Sequence, residues 1–149
     1  KGSGALNSIG GNPLTCGTES FKLEISSPEG CSYDESNGCL KFNKFDSSTY
    51  ASIKLPRIAG YKITRIVLDN AVDSYNSKVC LSYMNNETLK EYDVKKLLTK
   101  AGQKEFTSEN LKSVITDDSQ YYLKFTANDK NIYIKYNAII NFLYSKTAF

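Results

Sequence analysis

From Phe21 to Ser26 apolar and polar residues alternate, with Phe21, Leu23 and Ile25 on one side and Lys22, Glu24 and Ser26 on the other. A period of two predicts a half-buried β-strand. Ser27 to Gly38 is turn-rich, punctuated by Pro28-Glu29-Gly30 and Asn37-Gly38. Leu40 and Phe42 then alternate with Lys41 and Asn43 as a second strand. Asp46-Ser47-Ser48 predicts a turn. Ala51, Ile53 and Leu55 predict a third strand, which Pro56 ends or marks as an edge. After a turn at Ala59-Gly60, the run YKITRIVL from Tyr61 to Leu68 is dense enough to predict burial on both faces. Asp69 to Ser77 is a polar loop, Val79, Leu81 and Tyr83 mark the next strand, and Asn85-Asn86 turns it.

The middle of the chain changes period. Val94, Leu97, Leu98 and Ala101 follow the i, i+3, i+4, i+7 spacing of a helix face, with Asp93 as a cap and Gly102 as a stop. Ser108 caps a second short helical stretch carrying Leu111, Val114 and Ile115. Beyond Asp117-Asp118 the β pattern returns. Tyr121, Leu123, Phe125 and Ala127 alternate with Tyr122, Lys124 and Thr126. Ala127 to Asn131 predicts a hairpin connection into Ile132 and Ile134, and the apolar run Ala138 to Tyr144 follows, with a bulge expected at Asn137. Residues 1–20 are rich in Gly, Ser, Asn and Thr, without periodicity, and read as a flexible tail or linker. They contain no basic stretch followed by an apolar run, so no signal peptide is recognised there. The chain beyond, 21–149, is expected to be one domain. About nine strands at roughly 8–12-residue spacing predict an all-β, antiparallel β-sandwich, jelly-roll-like, with one or two short loop helices.

Composition removes several kinds of chemistry. The chain has no histidine. Ser-His-Asp and Cys-His catalysis, HExxH zinc sites and facial-triad iron sites all need an imidazole. Carboxylate, Lys and Tyr chemistry stays open. Nineteen Lys and Arg against 16 Asp and Glu give a net charge of +3, and the cations are dispersed. Only Lys95-Lys96 are adjacent, and the arginines are Arg57 and Arg65 alone. Nucleic-acid readers cluster such residues on one face, so no nucleic-acid partner is expected. Gly10-Gly11 lacks the strand before and the helix after that a phosphate-binding loop requires. No apolar run approaches the ~20 residues of a membrane span.

Cys16, Cys31, Cys39 and Cys80 form no CxxC pair. Cys31 and Cys39 bracket a short polar stretch that a disulfide could close. The alternative is that all four are reduced and pack as small hydrophobes, with Cys80 in the core.

The order CLKF, SSTYASIKLPRIAGYKITRIVL, KVCLSY, QYYLKF and NIYIKYNAIINFLY, from Cys39 to Lys146, resembles β-sandwich domains of secreted or surface lipoproteins of gut Bacteroidales. These are similar in layout to carbohydrate-binding-module jelly rolls. The resemblance implies a bacterial outer-membrane, periplasmic or extracellular setting and a binding or accessory role.

A sugar site needs an aromatic face for the apolar side of the ring, and amides or carboxylates for the hydroxyls. With no Trp in the chain, loop tyrosines beside polar residues are the candidates. Tyr33 precedes Asp34, Glu35 and Asn37, and Tyr75 lies between Asp73 and Asn76. The ligand-binding expectation is therefore Tyr33, Asp34, Tyr75 and Asn76. Tyr122, Tyr133 and Tyr136 are a second set, for an exposed sheet face, with Tyr122 and Tyr133 as cross-strand neighbours. Asp34, Glu35, Asp69 and Asp73 could contribute oxygens to a structural calcium, but no DxDxDG loop exists and no cofactor is expected. Asp117-Asp118 is an adjacent carboxylate pair, and as turn neighbours the two point apart, unlike the facing pair of a glycosidase. Asn86-Glu87-Thr88 fits the N-glycosylation acceptor pattern, which matters only in a eukaryotic secretory pathway. The expected function is a non-catalytic surface or secreted module that binds a glycan as an accessory to a larger protein. The alternative is a structural or adhesion domain meeting protein partners through a sheet face or edge.

Overall fold

The computed structural model describes residues 2–5, 14–16, 19–21, 24–72, 77–128, 130–135 and 139–143. The first part of the chain forms β1 (Gly2–Ala5), β2 (Leu14–Cys16), β3 (Glu19–Phe21), β4 (Glu24–Ser26), β5 (Cys31–Asp34) and β6 (Cys39–Phe42). The long strands β7 (Phe45–Lys54), β8 (Lys62–Asn70) and β9 (Lys78–Asn85) follow, then β10 (Thr88–Glu91), β11 (Leu97–Leu98) and β12 (Gly102–Phe106). After α1 (Ser108–Leu111) come β13 (Tyr122–Asn128), β14 (Ile132–Lys135) and β15 (Ile139–Leu143).

Two antiparallel sheets pack face to face as a β-sandwich. The first has the order β1-β15-β8-β14-β6-β5, with β12 on the other edge of β8. The second runs β10-β9-β13-β7-β4, with β11 also pairing β9. Strands β2 and β3 form a separate small ribbon. Within the segment expected as a tail, Gly2–Ala5 pairs with Ile139–Phe142.

The alternation read from the sequence is what builds the core. Leu40 and Phe42 of β6, Ile66 and Leu68 of β8, and Ile132 and Ile134 of β14 meet Ala51 and Ile53 of β7, Val79 and Leu81 of β9, and Leu123 and Phe125 of β13. The Phe42 and Phe125 rings, one from each sheet, lie 5.1 Å apart. Leu111 and Ile115 close one end of this core, held by a capping box in which Thr107, rather than Ser108, is the N-cap. In β8 only the second half is buried on both faces; Arg65 is exposed and makes a bidentate pair with Glu105 of β12, at 2.8 and 3.0 Å.

Four local expectations change. No helix spans 93–101. Leu97 pairs with Val79 as part of β11 and is buried, whereas Leu98, which the helical pattern placed on the apolar face, is exposed. Gly102 opens β12 at φ +100° instead of ending a helix. The segment 127–131 is not a hairpin, because β13 belongs to the second sheet and β14 to the first, so it crosses between layers. The predicted turn at Asp46-Ser47-Ser48 lies inside β7, where Asp46 to Thr49 bulge between the paired positions Phe45↔Asn128 and Tyr50↔Thr126. The Asp46 carboxylate accepts from Ser48 N at 2.9 Å and Ser48 Oγ at 2.6 Å, which stabilises the bulge.

A disulfide between Cys31 and Cys39 is absent, and the hairpin register explains why. Cys31 stands opposite Phe42, and Cys39 opposite Asp34. The two cysteines are thus offset by three residues, about 10 Å along the strand direction, beyond the ~7 Å Cα separation a disulfide tolerates. Cys31, Cys39 and Cys80 are free thiols.

Candidate functional site

Core packing fixes the inward residues of the second sheet, so its outward residues are fixed by parity. In β7 these are Tyr50, Ser52 and Lys54; in β13, Tyr122, Lys124 and Thr126; in β9, Lys78, Cys80, Ser82 and Met84. The register lines them up in rows. One row runs Tyr50, Thr126, Lys78. The next runs Ser26, Ser52, Lys124, Cys80, and the third runs Glu24, Lys54, Tyr122, Ser82, Glu91.

This face holds a groove of about 320 Å³ lined by Glu24, Ile25, Ser26, Tyr50, Ser52, Lys54, Met84 and Tyr122. Its volume lies at the lower end of the ~300–1,000 Å³ usual for small-ligand sites. Both tyrosines are half-buried, so each ring is supported by its neighbours and still shows part of itself to solvent. Their Cα atoms are separated by four residues along the strands and by one strand spacing, about 14 Å in all. Ser26, which is exposed, and Ser52, which is buried but lines the groove, lie in the row between them.

The electrostatics follow from the same grid. The Lys54 ammonium is 3.2 Å from Glu24 Oε2, in a pair whose carboxylate is 71% exposed. Lys124 lies under Tyr50, its Nζ 4.9 Å from the ring centroid. The same Nζ is 3.5 Å from the Leu89 carbonyl oxygen and 3.9 Å from Glu91 Oε1. Lys96 approaches the other Glu91 oxygen at 3.7 Å. Cys80, buried beside Glu91, has its thiol pushed up to about 11, first by burial and then by the neighbouring carboxylate. It is a packing residue at neutral pH, since the reactive form is the thiolate. A second, more apolar cleft of about 190 Å³ lies between the start of β8 and α1, floored by Ile63, Leu111 and Ile115.

Of the four expected ligand residues, Tyr33 and Asp34 stand away from this groove. Tyr33 is in β5, paired with Leu40, on the opposite sheet. The Asp34 carboxylate is taken up by its own turn, accepting Asn37 Nδ2 at 2.8 Å, Ser36 Oγ at 2.7 Å and Asn37 N at 3.2 Å. Bonds from Asn37 and then Ser36 hold that carboxyl below its ordinary range. Tyr75 and Asn76 lie outside the described residues. So does Asp73, while Asp34 and Asp69 stand in β5 and β8, three strand spacings apart or about 14 Å, which is too far to share an ion. Asp69 instead lies 3.8 Å from Lys135 Nζ. Among the described residues no three Cys, Asp or Glu side chains group as a metal site.

Tyr122 and Tyr133 are not cross-strand neighbours; Tyr122 faces Lys54 and Ser82 in the second sheet, and Tyr133 faces Lys41 in the first. Tyr136 lies outside the described residues. Asp117 and Asp118 are held by different partners. Asp117 accepts from Ser119 N and the Tyr121 hydroxyl, and Asp118 from Gly60 N. Sequence reasoning singled out Tyr122 but passed over Tyr50. The signal for Tyr50 was present in STYASIK, where the inward Ala51 and Ile53 leave Tyr50, Ser52 and Lys54 facing out together.

No protein-family model matches the chain, and no curated protein is similar to it in sequence. The class that the fold defines is an all-β sandwich with an open, tyrosine-bearing groove on one sheet.

Proposed function

We propose that this sandwich is jelly-roll-like and serves as a non-catalytic glycan-binding module, acting as an accessory part of a larger secreted or cell-surface bacterial protein. The observation that carries the proposal is the groove on the second sheet, lined by Tyr50 and Tyr122 two rows apart with serines in the row between them. Sugar rings present an apolar face of C–H groups and an edge of hydroxyls. A tyrosine ring supplies contact area for the first, and Ser26, Ser52, Glu24 and Lys54 supply hydrogen-bonding groups for the second. A rigid sheet suits this task because the ring positions are set by register and need no ordering on binding.

Affinity electrophoresis through gels containing soluble polysaccharides tests the proposal. The expected result is retardation by at least one polysaccharide, weakened by Tyr50→Ala and by Tyr122→Ala, with Tyr133→Ala on the other sheet as a control that leaves it unchanged. Unretarded migration across a broad panel would turn attention to the structural or adhesion alternative and to protein partners.

A further inference from the structure

The charges on the groove face are not evenly mixed. In the three paired rows, the outward positions of β7, β13 and β9 carry three cations, Lys54, Lys124 and Lys78, and no carboxylate; the exposed Asp46 of β7 lies in the bulge beyond Tyr50, where its carboxylate accepts from Ser48 and Thr49. Carboxylates enter these rows from the flanking strands, Glu24 of β4 and Glu91 of β10. Each reaches inward to one of the lysines, at 3.2 Å for Lys54 and 3.9 Å for Lys124. The Lys54–Glu24 pair is solvent-exposed on both sides, so a competing anion displaces Glu24 at little cost. Lys78, in the row with Tyr50 on the same face but beyond the groove's own lining, makes no ion pair among the described residues.

We infer that the groove takes an acidic glycan, one bearing carboxylate or sulfate groups, with Tyr122 and Tyr50 under sugar rings and Lys54 and Lys78 meeting the anionic substituents. The inference rests on the reading of the groove as a glycan site. A neutral glycan would use the tyrosines and serines but leave Lys54 bound to Glu24 and Lys78 idle. An acidic one engages the lysines as well, and charge complementarity then sets the choice of ligand. Aromatic rings interleaved with lysines also suit single-stranded nucleic acid. Two features favour the glycan: serine hydroxyls occupy the row between the tyrosines, and the outward positions of these strands carry no arginine, the side chain best matched to phosphate.

The test compares polygalacturonate with its fully methyl-esterified form, in binding measurements at about 50 and 300 mM salt, with oligo(dT) as a third probe. The expected result is that polygalacturonate binds about tenfold more tightly than the ester at the lower salt, that this preference shrinks at the higher salt, and that Lys54→Gln weakens the acidic ligand by about threefold or more while leaving the ester unchanged. Tyr122→Ala weakens both. Equal, salt-insensitive binding of acid and ester would overturn the acidic-ligand inference while leaving the glycan reading intact. Binding of polygalacturonate that ignores both Tyr50→Ala and Tyr122→Ala would overturn it as non-specific polyelectrolyte attraction. Tighter binding of oligo(dT) than of any polysaccharide would overturn both readings in favour of nucleic acid. Failure of all three probes, with neutral and sulfated polysaccharides also inert, would sink the glycan reading itself. The wild-type salt comparison needs no variant, so the test holds even if a substitution impairs folding.

Discussion

Replacing Phe125 by alanine removes a ring that is fully buried in the middle of β13 and packed 5.1 Å from Phe42 on the opposite sheet. A buried Phe→Ala change typically costs about 3–5 kcal/mol, from lost transfer energy plus the cavity left behind. The tilted ring pair contributes about 0.5–1.5 kcal/mol of that beyond area burial. For a domain of this length each kcal/mol moves the melting temperature by about 2–4 °C, so the expected fall is about 6–20 °C. Urea unfolding followed by far-UV circular dichroism measures the loss directly, and an unchanged denaturant slope shows that the same two states are compared. Phe125→Leu, expected to cost no more than about 1.5 kcal/mol, keeps the comparison readable if the alanine variant is largely unfolded. Combining Phe42→Leu with Phe125→Leu should give a coupling of about 0.5 kcal/mol or more, because the two rings touch across the sandwich. A Phe125→Ala loss below about 1 kcal/mol, or strict additivity of the leucine pair, would refute the claim that these rings join the two sheets.

Three further outcomes follow from local features. Asn86 and Glu87 sit at φ +48° and +66° in the two-residue turn between β9 and β10, a type I′ geometry that prefers Asn-Gly. Glu87→Gly should therefore raise stability by about 0.5–1 kcal/mol, and a drop in melting temperature would contradict the turn assignment. Cys31 is exposed whereas Cys80 is buried with its thiol raised to about 11, so alkylation at pH 8, mapped by peptide mass, should label Cys31 well before Cys80. Equal rates, or a Cys31–Cys39 disulfide peptide, would count against the register of the β5–β6 hairpin. Bonds from Ser119 and then Tyr121 hold the Asp117 carboxyl below its ordinary value of 3.8. Its folded pKa is depressed, so its contribution is present above the unfolded value and is lost as pH falls through the folded one. Asp117→Asn should accordingly show a shallower loss of melting temperature than wild type below about pH 4, and parallel profiles would be the contrary result.

Strand existence was legible along most of the chain because side-chain period and burial share one cause. Ala51, Ile53 and Leu55, or Leu123 and Phe125, are inward because they are apolar at every second position. The misreadings share a cause too, since local pattern does not report tertiary partners. Val94, Leu97 and Leu98 satisfy helical spacing, yet Leu97 is buried opposite Val79, Val94 packs against the core only half-buried, and Leu98 is exposed. The connection at 127–131 has hairpin chemistry, but nothing local says that β13 and β14 belong to different sheets. Strand β10 escaped notice because Thr88 to Glu91 carries a single apolar residue, and its signal was the turn at Asn86-Glu87. The candidate site was half legible. Outward-facing Tyr122 could be read from parity, but its neighbourhood with Tyr50 and Lys54 depends on which strands pair, and that is fixed by the register of the whole sheet.

The measurement that tests the central claim most directly is a titration of isotope-labelled protein with the tightest-binding polysaccharide fragment, followed by amide chemical shifts. The account predicts saturable shifts concentrated at Ser26, Tyr50, Ser52, Lys54 and Tyr122 on the outer face of the second sheet, with β5, β6 and β14 unmoved. Shifts concentrated on the first sheet, or saturable binding that leaves Tyr50 and Tyr122 unperturbed, would contradict it.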